Sequence, residues 1–486
     1  MYSKRRTFLY ILEKLLSSLS IYILSGAFIL VKTKASKANT NNTILDSPQS
    51  DSLIAEDVSN FVSIKDFGAI GGGLSHLLSK EYATLRDAQR IYPFVDSLDH
   101  ELDWAALQAA LHSGKDVLIP EGKYIISETA EIQDRSLKIY GKGDKSILVS
   151  DSAILRLINC SDSEIGYLRL ENATNPFLID RWNDGMGYQP TVNDPEYKFL
   201  SLKQQNQDIT PQINIFNNQR TKVKSVSGNF TAIIFWNSQY CSVSNCNIRA
   251  GKNFAGGIVF WSDSLVKNIG NEALDNEVRY ASFSGIVFAG AESCVCKGNR
   301  VEKVGESCYK TWQGEAKDIN LRCRKISFNK NVAIQAQFDN FDLSSDYPHQ
   351  GNHIADSDAI NNTSLKAGGM GFYVDGKNFL LEGNVVEDSG LSGMFLEVSD
   401  STISRNQFAN NNRRNKASGH HELSLTGLGR GNLVRENIFK RDKLYHGNAI
   451  YSDSPDTTFV DNTASNSSFN FKVVPRSKTN NLEKID

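Results

Sequence analysis

One asparagine keeps returning at the same place in a repeating stretch of this chain, and its recurrence restricts the fold more than any other feature. Gly-Ile-Val-Phe at 257–260 comes again at 285–288, and Gly-Met-Gly-Phe at 369–372 and Gly-Met-Phe-Leu at 393–396 repeat its pattern. About ten to twelve residues later stands an Asn followed closely by an apolar residue: Asn299, Asn384 and Asn406. Asn331, Asn437 and Asn462 extend the series, and Cys246 holds the same place one turn earlier. Neighbours lie roughly 22 to 32 residues apart, a period that means a solenoid. One turn cannot bury its apolar face alone, so turns stack. Asn suits the corner because it tolerates unusual backbone angles and can bond the equivalent Asn above and below. The expected fold is all-β, a right-handed parallel β-helix.

The 486 residues do not have to divide into several domains, since a solenoid lengthens along one axis. Near-neutral overall charge hides an asymmetry. Residues 1–38 carry seven Lys or Arg and one acid, Glu13, which leaves 46 basic and 54 acidic residues beyond them. A net −8 body excludes nucleic acid as a partner on charge grounds.

The basic start has the order of an export signal. Ser3-Lys4-Arg5-Arg6-Thr7-Phe8-Leu9 is similar to the twin-arginine motif. An apolar stretch from Leu15 to Val31 and then Ser36-Lys37-Ala38 follow. The expectation is a signal peptide over 1–38, cleaved near Ala38, and a periplasmic or secreted protein. The alternative is an uncleaved anchor, the only membrane contact expected. Residues 39–58 are polar and give a disordered linker. Seven Cys form no zinc-ligand spacing. Cys294 and Cys296 alternate like inward strand residues, so buried free thiols are expected rather than disulfides.

The entry to the coil carries a longer signature. Phe61-Val62-Ser63-Ile64-Lys65-Asp66-Phe67-Gly68-Ala69 precedes Gly71-Gly72-Gly73. Leu102 to Leu111 reads as an amphipathic helix with Asp103 as its cap. Lys115 to Tyr124 is strand, Pro-Glu-Gly turn and strand. The helix plugs the open end of the coil and covers its strand edges. This order resembles the pectate-lyase-like β-helix superfamily over 61–124, departing from it at Glu101-Leu102-Asp103 and in the insert 74–100. Within the insert, Ala83 to Phe94 is similar to a variant in bacteriophage tailspikes that degrade capsules. The division expected is a capping segment over 59–125, the β-helix over 126–475 and a tail over 476–486. The superfamily acts mainly on acidic polysaccharides, and its tailspikes are trimers, so the resemblance implies a polysaccharide partner and a possible homotrimer. The residue sets expected of polygalacturonases and alginate epimerases are absent from this sequence.

Strand side chains alternate, so one column per strand faces outward. With each repeat's Phe inward, that column reads Trp236, Trp261, Ala289, Trp312, Asp339, Tyr373, Glu397, Thr426 and Ser452. Trp236, Trp261, Trp312 and Tyr373 are candidate platforms for sugar rings; the alternative is a lateral core beneath covering loops. Asp339 and Glu397, two turns apart at roughly 9–10 Å, suit an inverting better than a retaining glycosidase. Asp339, Asp342 and Asp375 are a candidate Ca²⁺ set of the pectate-lyase kind. Lys310 and His421 are candidate bases, and Glu397 completes the catalytic candidates. The polar run 339–358, with Asp346, His349 and His353, reads as a loop walling the groove, and Glu422 takes the repeat's Gly position near its edge. Phosphate loops and dinucleotide fingerprints are missing, so no organic cofactor is expected. These readings converge on a polysaccharide lyase for an acidic exopolysaccharide or capsule. An inverting hydrolase, or a non-catalytic glycan-binding factor in exopolysaccharide biosynthesis, is the alternative.

Overall fold

The computed structural model describes residues 60–172, 211–251, 256–262, 266–312, 323–344, 354–414, 419–426, 429–441, 446–465, 471–473 and 478–485. The expected export signal and linker lie outside the described residues, as do Asp346, His349 and His353. No described helix is long and apolar enough to cross a membrane.

Helix α1 (Leu85–Ile91) belongs to the insert and helix α2 (Leu102–His112) plugs the coil. α2 is buried on almost all sides rather than amphipathic, as a plug between coil and insert must be. Asp103 is not its cap. The N-cap is Glu101, without a side-chain bond. The Asp103 carboxylate instead accepts the amides of Ile70 (2.7 Å), Gly71 (3.2 Å) and Ile125 (3.1 Å), tying the glycine run to the first coil.

Beyond the plug the strands form a β-helix of long parallel sheets, each strand pairing with its counterpart one turn later. The face used below consists of ten strands. They are β1 (Ile213–Phe216), β2 (Ile233–Trp236), β3 (Gly256–Trp261), β4 (Ser284–Ala289) and β5 (Tyr309–Trp312). Above them come β6 (Phe341–Leu343), β7 (Phe372–Lys377), β8 (Met394–Ser399), β9 (Leu423–Leu425) and β10 (Ile450–Ser452). Residues expected as a tail coil once more: Lys478–Ile485 pairs in parallel with Thr458–Ser465.

Inside the coil, identical positions stack. Phe235, Phe260 and Phe288 lie ring on ring at 5.2 and 5.1 Å, and Phe341 sits between Tyr309 and Phe372 at 4.7 and 4.2 Å. All seven cysteines are free and buried, as expected.

The asparagine ladder is continuous. Side-chain amides run from Asn276 through Asn299, Asn331, Asn362, Asn384, Asn406 and Asn437 to Asn462, each step 2.9–3.1 Å. Cys246 heads the series, its amide donating to Asn276, so it stands two turns before Asn299 rather than one. The unusual backbone angle belongs not to the ladder Asn but to the residue before it: Asp275, Gly298, Lys330, Asn361, Gly383, Arg405, Glu436 and Asp461 all have positive φ. The corner thus divides the two roles that the sequence reading gave to one residue. The repeat's glycine answers a different demand. A Cβ at Gly285 would come within 2.2 Å of Val301 and 2.6 Å of the Cys308 carbonyl of the next coil.

Candidate active site

The outward face carries two columns, set by the register. The first runs Trp236, Trp261, Ala289 and Trp312, as expected. One residue past the paired strand it continues through Ser344, then Asp375 and Glu397. The second, two residues earlier on each strand, runs Val287, Lys310, Asp342, Tyr373, Phe395, Ser424 and Tyr451. Asp339 is in neither, because the inward residue of its turn is Phe341 rather than Phe338. Tyr373 moves to the second column. Ser452 pairs with inward Leu425, so it leaves the column as well.

The tryptophans are a lateral core. Trp261 is 3% exposed and Trp312 9%, and they meet edge to face at 4.6 Å. Trp236 is half-buried and stacks flat on Phe216 at 5.8 Å. Ala232, Ile234, Val259, Val287 and Ala289 complete the cluster. The buried rings of Trp261 and Trp312 offer no open face to a sugar, and Trp236 packs at the edge of the same cluster. Trp261→Ala is therefore expected to cost roughly 2–3 kcal/mol in denaturant unfolding, below a coil-core truncation because a lateral cluster settles more readily. Retained glycan binding in the folded variant would confirm the packing role.

Where the tryptophans stop, charge begins. Glu306 lies on the bend before β5, its amide donating to the Phe283 carbonyl and its own carbonyl accepting from Phe338. Its carboxylate accepts from Ser284 Oγ (2.7 Å) and meets Lys310 Nζ at 2.6 Å. Lys310 also reaches Asp342 at 3.5 Å, and Ser344 Oγ donates to Asp342 at 2.5 Å. Asp339, on the bend before β6, accepts the Met370 amide at 2.6 Å. Burial first and the Asp342 charge second push the Asp339 carboxyl up to about 7, against the pull of the Met370 amide, Lys310 and Arg414. One carboxyl that holds its proton near neutrality beside others is the arrangement from which acid and base roles separate.

Tyr373 stands next in the column above Asp342 and donates its hydroxyl to Glu397 at 2.9 Å. Asp375 and Glu397 are register partners on adjacent turns. His421 is elsewhere. Its backbone is three turns above Asp339 along the coil's edge, roughly 14 Å at the strand spacing. Burial first, then His420, Lys472 and Arg441, lower it to about 4, and Nδ1 accepts the Asn448 amide at 3.0 Å. Glu422 is not at the groove's edge but fully buried, paired with Arg441 at 3.0 Å.

The expected Ca²⁺ set does not fit the geometry. Among the described residues no three His, Cys, Asp or Glu gather closely enough to hold a metal ion. Asp342 is turned to Lys310 and Ser344, Asp339 to a backbone amide, and Asp375 lies in the other column. Sequence reasoning missed Glu306 because it sits on a bend outside the strand alternation. The one available signal is its place four residues before Lys310.

The same coil occurs in proteins of known structure. The receptor-binding protein of bacteriophage Det7, a podoviral tailspike in a myovirus, superposes with a TM-score of 0.57 at 19% identity, over 78% of this chain and 74% of that one. The siphovirus 9NA tailspike receptor binding domain gives 0.56 at 17%, over 78% and 75%. An A-module of an Azotobacter vinelandii mannuronan C-5 epimerase gives 0.53 at 14%, over 87% and 99%. These identities establish a shared fold. The sequence itself says more: the family described as Salmonella phage P22 tail-spike matches residues 184–464, over half of the chain. The chain belongs to the Salmonella phage P22 tail-spike family.

Proposed function

We propose that this protein binds a bacterial surface polysaccharide and cleaves it by hydrolysis of a glycosidic bond, as a homotrimer. The observation carrying the chemistry is the Asp339 carboxyl, raised to about 7 beside Asp342. A protonated carboxyl on the coil's rim can donate to a leaving glycosidic oxygen, and a neighbouring carboxylate can take a proton from the attacking water. Asp342 is the carboxylate for that second role, and Glu306, joined to it through Lys310, keeps the ammonium between the two acids. The tailspike family and the receptor-binding descriptions of its structural neighbours support a surface glycan as the substrate.

β-Elimination with Lys310 as base is the weaker reading, because its ammonium is already engaged by two carboxylates and would have to leave both before accepting a proton. The test is a panel of purified bacterial O-polysaccharides and capsules incubated with the protein. New reducing ends without the ultraviolet absorbance of an unsaturated uronate are expected, and light scattering should give three times the chain mass. Absorbing products would mean a lyase, and binding without product a non-catalytic factor.

A further inference from the structure

We infer that Tyr373 and Glu397 form a specificity-determining pair for the sugar unit lying beyond the scissile bond toward the C-terminal end of the coil, and that this unit is uncharged. The inference rests on the catalytic reading above, since it locates the unit from Asp342. Asp342 and Tyr373 are register partners, so the tyrosine stands one coil further on, about 4.8 Å along the axis. Glu397 follows one coil later, beside Asp375.

The two side chains act as one unit. The Tyr373 hydroxyl donates to Glu397 Oε2 at 2.9 Å, and its ring leans on Phe395 at 6.0 Å and 45°. Both residues are half-buried, so the hydrogen bond holds the pair while each side chain keeps part of its surface accessible. Burial first, and then the Glu397 charge, hold the phenol far above its usual range, so it remains a neutral donor committed to Glu397. A carboxylate has about four acceptor positions, and among the described residues Tyr373 is the hydrogen-bond partner Glu397 has. What remains on Glu397 accepts hydrogen bonds and carries negative charge. Ring hydroxyls supply donors to it. A uronate would bring a second anion and acceptors alone, a mismatch that excludes partners more strongly than a lost contact does. The acidic glycan expected from the sequence is therefore disfavoured at this unit.

The experiment uses the full chain carrying Asp339→Asn, so that polymers are bound without being cut. Native gels are cast with purified bacterial O-polysaccharides and capsules, half of them free of uronic acid. The expected result is retardation by uncharged polymers and at least about tenfold weaker retardation by uronate polymers. Adding Glu397→Gln should narrow that gap about tenfold, and adding Tyr373→Phe should weaken retardation by uncharged polymers a few-fold. Equal retardation by both classes, retardation by neither, or a ranking unchanged by Glu397→Gln overturns the inference. Thermal melts of the variants keep misfolding separate. Reducing-end release by the wild type is read independently and bears on the hydrolytic reading, so the two can fail separately.

Discussion

Asp339→Asn is expected to lower turnover by about 10²–10⁴-fold, the range supplied by a positioned general acid, while polysaccharide binding persists. Asn keeps the side chain's shape and can still accept the Met370 amide, but it has no proton to give to a leaving oxygen. In the wild type, turnover should fall as pH rises past about 7, where Asp339 loses its proton. The same substitution should stabilise the fold, and the sign follows from proton linkage. The native carboxyl releases its proton at about 7 and the unfolded one at about 3.9. Between these values the native state holds the extra proton, so stability falls as pH rises through the window. Three units of separation correspond to roughly 4 kcal/mol at most, and solvent at the half-buried site screens this to about 1–2 kcal/mol. Asp339→Asn should therefore melt higher than wild type at about pH 8 and equally at about pH 4. A variant that is inactive and also less stable at the higher pH would assign Asp339 a structural role instead.

The fold was legible because the corner chemistry is written in single residues. Six of the eight ladder asparagines stand in series in the sequence, and glycine-led segments mark four of the ten strands of the face. Asn276 lies between Cys246 and Asn299 on the ladder, so a series without it places Cys246 one turn too near. The site was legible only where every strand keeps the same phase. From Trp236 to Trp312 consecutive residues preserve the alternation, and that part of the column agrees with the observed register. At residues 336–341 the chain makes an extra bend. Phe338 and Phe341 then compete for the inward position, and stacking between Tyr309 and Phe372 selects Phe341. That choice places Asp342 rather than Asp339 on the strand and shifts Tyr373 by one column. Burial was the other illegible quantity. Outward alternation says which way a tryptophan points, not whether three of them close over one another. The short insert 83–94, with its tailspike likeness, pointed to the family that residues 184–464 establish.

Arg441→Met is expected to cost about 3–5 kcal/mol, because it strands a carboxylate that has no route to water. Glu422 stands where earlier turns have glycine: its neighbour Leu423 pairs with Met394, which puts Glu422 above Gly393. A Cβ at Gly393 would meet the Asn411 side chain at 2.8 Å. One coil later the Glu side chain uses that neighbour, accepting from Asn411 Nδ2 at 2.6 Å and from Arg441 Nη2 at 3.0 Å. The pair's side chains are 0% and 4% exposed. Burial raises the Glu422 carboxyl even with Arg441 present, so removing the guanidinium raises it further. The native variant then holds a proton that the unfolded chain releases near about 4.3. Its stability falls as pH rises above that value, and Arg441→Met should be mildest in acid. Adding Glu422→Gln should recover much of the loss, since Gln can still accept from Asn411 and leaves no charge behind. Because a solenoid opens coil by coil, amide hydrogen exchange in β8, β9 and β10 is the suitable measurement. Faster exchange there, with β2 to β4 unchanged and partial recovery in the double variant, is the expected pattern. Uniform loss of protection along the whole coil would mean that the pair supports global rather than local cohesion.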